Sequence, residues 1–103
     1  VGPVILARHL VPDPQRLTLR TRVNGEERQK TGTDDMIWTV GEIVSHLSRG
    51  TTLRAGTVVM TGTPGGVGLF REPKGFLRDG DVVEVEVEGV GILKNRMVFE
   101  KGG

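Results

Sequence analysis

A chain of 103 residues, 36% of them apolar and with 16 glycines, has the length and composition of one globular domain or part of one, not of a disordered segment. Lys+Arg 14 against Asp+Glu 13 leaves a net charge of +1, and the basic residues form neither a stripe nor an aromatic platform, which argues against a nucleic-acid partner. No apolar run approaches the roughly 18 residues of a membrane span, no signal-like segment opens the chain, and the absence of cysteine removes disulfides and thiolate metal sites, so a cytoplasmic location is expected, with the mitochondrion as the alternative.

The chain opens at Val1-Gly2-Pro3 without a methionine, so we expect it to be part of a longer protein. Val4-Ile5-Leu6 reads as a short strand closed by Pro12-Asp13-Pro14, where proline fixes φ and removes donors. Residues 16–23 then alternate, with Leu17, Leu19, Thr21 and Val23 on one side and Thr18, Arg20 and Arg22 on the other, the period of a half-buried strand. Asn24-Gly25 predicts a type I′ hairpin, because both central residues of that turn need positive φ, and its register sets Arg22 opposite Glu27. The returning strand, residues 26–31, is polar and expected to be exposed.

Asp34-Asp35 are expected to turn the chain ahead of a helix. Thr39-Val40-Gly41-Glu42 fits a capping box, with Trp38 and Ile43 placed for the accompanying hydrophobic staple. Val40, Ile43, Val44 and Leu47 share one helical face, expected to cover a sheet, and Gly50 follows as the C′ residue. His46 in the last turn complements the helix dipole, and His9 sits in a strand-exit segment; neither belongs to a catalytic motif.

A strand over residues 57–60 then empties into Thr61-Gly62-Thr63-Pro64-Gly65-Gly66-Val67-Gly68. Glycines at these positions let backbone N–H groups approach a ligand, particularly an anion, with two threonine hydroxyls at the mouth. A tight turn with no ligand explains the same composition. The nucleotide signatures do not fit: Leu69-Phe70 stands where a P-loop needs Lys-Ser/Thr, and the Gly-x-Gly-x-x-Gly spacing is absent.

Residues 70–74 read as irregular around Pro73, Phe76-Leu77 as a return to the core, and Asp79-Gly80 as a turn. Residues 81–88 alternate strictly, with Val83, Val85 and Val87 opposed to Glu84, Glu86 and Glu88. Residues 92–99 form the next strand. A three-residue loop through a left-handed Gly91 sets Glu86 against Lys94 and Glu84 against Arg96. The glutamates are accordingly a solvated, paired face and not an acidic metal site.

Together these residues resemble the C-terminal part of the fumarylacetoacetate hydrolase family catalytic domain. The resemblance is carried by Gly2-Pro3, Pro12-Asp13-Pro14-Gln15 with Leu17 and Leu19, Arg22-Val23-Asn24-Gly25-Glu26, Met36-Ile37, Leu47-Ser48-Arg49-Gly50, residues 61–64 with Gly66-Val67-Gly68, and residues 80–89 with Gly91. It implies a mainly β fold, a mixed β-sandwich roll with one helix, usually dimeric. The implied activity is on 2-oxo acids: acylpyruvate-type C–C hydrolysis, oxaloacetate decarboxylation or dienoate isomerisation. A divalent metal, Mg²⁺ or Mn²⁺, would act as Lewis acid. The family's Gly-Thr-Pro loop contacts substrate, which carries a substrate-binding role onto Thr63 and Gly62. The family's metal carboxylates, catalytic lysine and His-Glu pair lie before the Gly-Pro that starts this chain, so the resemblance implies no metal ligand or catalytic group here and a need for that N-terminal portion. A truncated, non-catalytic relative serving as a dimerising or binding module is the alternative; edge-to-edge pairing of the polar hairpins is a third.

Overall fold

The computed structural model describes residues 2–66 and 76–100. The end of the glycine stretch, Val67-Gly68, and the irregular segment 70–74 lie outside the described residues. Four strands, β1 (Thr18–Val23), β2 (Glu26–Gly32), β3 (Val82–Val87) and β4 (Gly91–Arg96), form one antiparallel sheet in the order β2-β1-β3-β4. Among the described residues one helix, α1 (Val40–Leu47), lies between β2 and β3 in the chain, and 3₁₀ turns occur at Arg8–Leu10 and Thr33–Asp35.

The first hairpin forms where the sequence places it. Asn24 has φ 51° and Gly25 φ 81°, the two left-handed residues of a type I′ turn, and Arg22 pairs with Glu27. The register then shifts: Thr21 faces Gln29, so Arg28 is an extra residue on β2, a bulge that nothing in the local polarity announces. Strand β2 is largely exposed at its start, as its polar sequence requires.

The alternation in β1 and β3 separates two faces. Leu19, Thr21 and Val23 align with Val87, Val85 and Val83, and Leu93 continues that face onto β4. Arg20 and Arg22 align with Glu86 and Glu84 on the other. The glutamates are paired, as expected, but their main partner is Arg22: its guanidinium is 2.7 Å from Glu86 and 3.9 Å from Glu84. The hydrogen bond that Arg22 donates to the Glu86 carboxylate pushes Arg22 above its usual pKa, against a smaller opposing effect of desolvation.

The second hairpin is offset by two residues from expectation, with Glu84 rather than Glu86 opposite Lys94, and Val82 opposite Arg96. Faces are preserved by a two-residue slide, so charge alternation alone does not select the register. The turn decides it. Val90 N–H donates to the Val87 carbonyl at 3.0 Å, and two glycines there have positive φ, Gly91 at 141° as expected and Gly89 at 77° in addition.

Other expectations are corrected. Val4-Ile5-Leu6 and residues 57–60 are not strands, because no neighbouring backbone offers them a ladder among the described residues; Ile5 is 82% and Met60 92% exposed. Phe76 is 60% exposed and does not return to a core. The capping box forms, with Glu42 N–H donating to Thr39 Oγ1 at 3.1 Å, but the Thr39 hydroxyl donates to the Glu42 carboxylate at 3.1 Å, a side-chain closure of the motif. A cap of this kind stabilises by about 1 kcal/mol. Gly50, φ 68°, comes two residues after the cap residue Ser48, one later than expected. Helix α1 does not cover the sheet, and none of its residues is buried. Among the described residues Val23 is the one buried apolar side chain.

What ties the first hairpin to the start of β3 is polar. Asn24 Nδ2 donates to Asp81 Oδ1 at 2.9 Å, Asn24 Oδ1 accepts from Val82 N–H at 2.9 Å, and Arg78 N–H donates to Asp81 Oδ2 at 2.8 Å. The hydrogen bond from the Arg78 backbone N–H and then that from the Asn24 side-chain amide hold the Asp81 carboxyl below the usual carboxylate range. A depressed folded-state value means that the contribution is present above the unfolded value, about 3.9, and is lost as pH falls through the folded one. Asp81→Asn is therefore expected to flatten the acid side of the protein's melting-temperature profile. Parallel profiles for variant and parent would contradict this.

Candidate substrate pocket

The glycine loop is held against the bulged stretch of β2. Gln29 Nε2 donates to the Pro64 carbonyl at 3.4 Å, and a Cβ placed on Gly66, φ 91°, would lie 2.5 Å from the Arg28 carbonyl oxygen. That distance is shorter than any real Cβ contact, so this close approach requires glycine. The extra residue Arg28 thus has a role beyond the sheet: its carbonyl is the surface on which the loop rests.

Across from the loop runs the segment between β2 and α1. Thr33 is pinned to the start of β1, its N–H donating to the Leu17 carbonyl at 2.8 Å and its Oγ1 accepting from Leu17 N–H at 3.0 Å. Between the two walls lies a cavity of about 320 Å³ lined by Thr61, Gly62, Thr63 and Pro64 on one side and by Thr31, Thr33, Asp35, Met36, Ile37 and Trp38 on the other, with Leu19 and Ile43. This size is at the low end of small-molecule pockets, about 300–1,000 Å³. The lining combines apolar and aromatic side chains with threonine hydroxyls. Among the described residues its single ionisable lining group is Asp35, whose Oδ2 accepts from Thr31 Oγ1 at 3.2 Å.

The structure brings both sequence-selected residues, Gly62 and Thr63, to the wall of this cavity. Both are exposed, and Gly62 has φ 115° with open space where a Cβ would stand. Asp34 and Asp35 do form the expected turn before the helix, and Asp35 in addition faces the pocket, which their position before a cap does not reveal. Trp38, read as a staple residue, is also a pocket wall. His46 lines a separate concavity beside α1 with Glu42 and Arg49, and His9 lines neither. Among the described residues no group of three or more His, Cys, Asp or Glu side chains is placed to hold a metal ion. The described residues therefore supply no ligand set of their own for the Mg²⁺ or Mn²⁺ that the resemblance implies. Among them, too, no helix is long and apolar enough to cross a membrane.

Comparison with known proteins gives consistent results. Residues 1–98 match the family described as fumarylacetoacetate (FAA) hydrolase C-terminal. Oxaloacetate tautomerase YisK of Bacillus subtilis (strain 168) is 42% identical over 97 residues, which are 94% of this chain and 32% of that protein. The structure of a fumarylacetoacetate hydrolase from psychrophilic Exiguobacterium antarcticum superposes with a TM-score of 0.89 at 45% identity, covering 96% of this chain and 35% of that one. Maleylpyruvate hydrolase from Sphingobium sp. SYK-6, solved in complex with manganese (II) ion and pyruvate, gives a TM-score of 0.81 at 32% identity, covering 94% of this chain and 34% of that one. The chain thus spans about a third of the length of these relatives.

Proposed function

Because this chain belongs to the fumarylacetoacetate hydrolase family, over that family's C-terminal region, we propose that it forms the substrate-loop part of an enzyme acting on small 2-oxo acids. The observation that carries this reading is the cavity between residues 61–64 and residues 31–38, a pocket of small-molecule size with threonine hydroxyls on both walls. A 2-oxo acid presents a carboxylate and an adjacent oxo oxygen, both acceptors. The Thr63 hydroxyl is suited to donate to one of them, and the open backbone at Gly62 allows a close approach by the other. When a proton leaves the carbon next to the oxo group, or a bond to that carbon breaks, negative charge gathers on the oxo oxygen. Donors fixed at that oxygen lower the barrier for either reaction. Leu19, Met36 and Trp38 would limit water around the developing enolate.

A divalent cation, Mg²⁺ or Mn²⁺, would add Lewis-acid stabilisation of the same charge, but the described residues supply no ligand set for it. In this reading the cation, the acid-base groups and the other wall of the site belong to an N-terminal metal-binding portion outside this sequence, in a cytoplasmic homodimer. The tautomerase named among the relatives and the pyruvate bound by another favour enolisation of a 2-oxo diacid as the reaction to examine first.

The test uses the intact protein with Mg²⁺ or Mn²⁺ and two substrates: enol oxaloacetate, followed by ultraviolet absorbance, and an acylpyruvate, followed by product analysis. Accelerated ketonisation without carbon dioxide release identifies a tautomerase, pyruvate release from the acylpyruvate a hydrolase. Lack of turnover of either substrate would support the non-catalytic binding module instead.

A further inference from the structure

The pocket wall formed by residues 35–38 has little packing to hold it. Ile37 is 91% and Trp38 63% exposed, and α1, which follows, buries none of its residues. The two ends of the wall are nevertheless fixed, and by the same side chain. Gln15, before β1, donates through Nε2 to the Thr33 carbonyl at 2.9 Å and to Met36 Sδ at 3.5 Å, while its Oε1 accepts from Val40 N–H at 2.7 Å. Val40 opens α1, where backbone N–H groups have no partner inside the helix, so the Gln15 oxygen satisfies one of them. Gln15 is itself oriented by a local turn, its own N–H donating to Asp13 Oδ1 at 2.9 Å.

We propose that Gln15 is a positioning residue of the substrate pocket, clamping the Thr33 and Val40 ends of the wall so that Met36 and Trp38 face the Thr63 loop. This rests on the pocket being the substrate site. The clamp needs a donor and an acceptor on one side chain. Glutamine has both, whereas ionised glutamate would turn a carboxylate oxygen toward the Thr33 carbonyl, and alanine would leave both ends of the wall without this tie. Gln15 does not line the pocket itself, so it acts on substrate only through the wall.

The experiment measures two quantities in the intact protein for Gln15→Ala: affinity for pyruvate in the presence of Mn²⁺, and amide hydrogen exchange over residues 36–40. The expected result is an approximately tenfold weaker pyruvate affinity, the size of one lost hydrogen bond, with faster exchange confined to residues 36–40 and unchanged exchange in β1 and β3. A lowered melting temperature with unchanged pyruvate affinity in the folded protein would assign Gln15 a merely structural role and overturn the proposal, as would unchanged exchange at residues 36–40. Should Gln15→Ala fail to fold, Gln15→Glu, which keeps an acceptor for Val40 and loses the donors, is judged by the same two measurements. Failure of the parent protein to bind pyruvate, with the local exchange effect present, would overturn the substrate-site reading and the pocket role with it, while leaving the clamp itself demonstrated.

Discussion

Alanine in place of Gly66 is expected to lower kcat/KM for the 2-oxo acid by about 10²-fold, the scale on which a displacement of about 1 Å in a positioning element acts. Two independent features of the position require this. Its φ of 91° is a conformation that side chains strain, and its missing Cβ leaves room for the Arg28 carbonyl, which would otherwise be 2.5 Å away. A backbone carbonyl within a sheet cannot swing aside as a side chain can. The loop must therefore lift from β2, breaking the bond from Gln29 to Pro64 and carrying Thr63 out of the pocket wall. Gly65 is the control: it has no positive φ, and nothing lies within 4 Å of a Cβ placed there, so Gly65→Ala should be near neutral. Equal losses from the two variants, or no loss from Gly66→Ala, would show that docking on β2 does not set the loop.

The second large effect is expected from Thr63→Val. Valine keeps the shape and β-branching of threonine and removes the hydroxyl, so an acceptor on the substrate would face a methyl group. Loss of a donor aimed at charge that develops during reaction costs about 10²-fold in kcat, whereas loss of a donor serving only the bound carboxylate would raise KM instead. Thr63→Ser should retain most activity. Because Thr63 is exposed, the melting temperature should stay within a degree or two of the parent. Normal kcat/KM in Thr63→Val would remove the substrate contact assigned to this residue while leaving the family membership untouched.

Much of the sheet was legible because its signals are local. Asn24-Gly25 specifies a two-residue turn, and that turn alone sets Arg22 against Glu27. The alternating valines and glutamates of β3 specify which side chains share a face. Thr39 and Glu42 mark the start of α1 because the cap is satisfied within one turn of chain. The glycine loop was recognisable by composition and by resemblance, and Gly62 and Thr63 do stand at a pocket wall.

Less was legible wherever the deciding partner is distant in sequence. The second hairpin shows this for register: a slide by two residues leaves every side chain on its face, so the choice falls to the turn around Gly89 and to Arg22, which takes Glu84 and Glu86 from the adjacent strand. The stretches 4–6 and 57–60 show it for strand formation. Their apolar content matches that of real strands, yet an extended segment becomes a strand only where another backbone completes its hydrogen bonds. Asp35 shows it for the site, since its approach to the pocket depends on Thr31 and on the return of the chain at residues 61–64.

By itself, then, the sequence determined the first hairpin's turn, the helix start and the two-faced strands, properties set by spacings of a few residues, and, through an ordered series of motifs along the chain, the family. The tertiary structure alone decided that Arg28 bulges from β2 to seat Gly66, that Gln15 joins Thr33 to Val40, and that the Thr63 loop and residues 35–38 enclose one cavity. The physical reason is reach: dihedral preferences and side-chain periodicity act along neighbouring residues, while a pocket is made by backbone and side-chain atoms that meet only after the sheet has brought distant segments together.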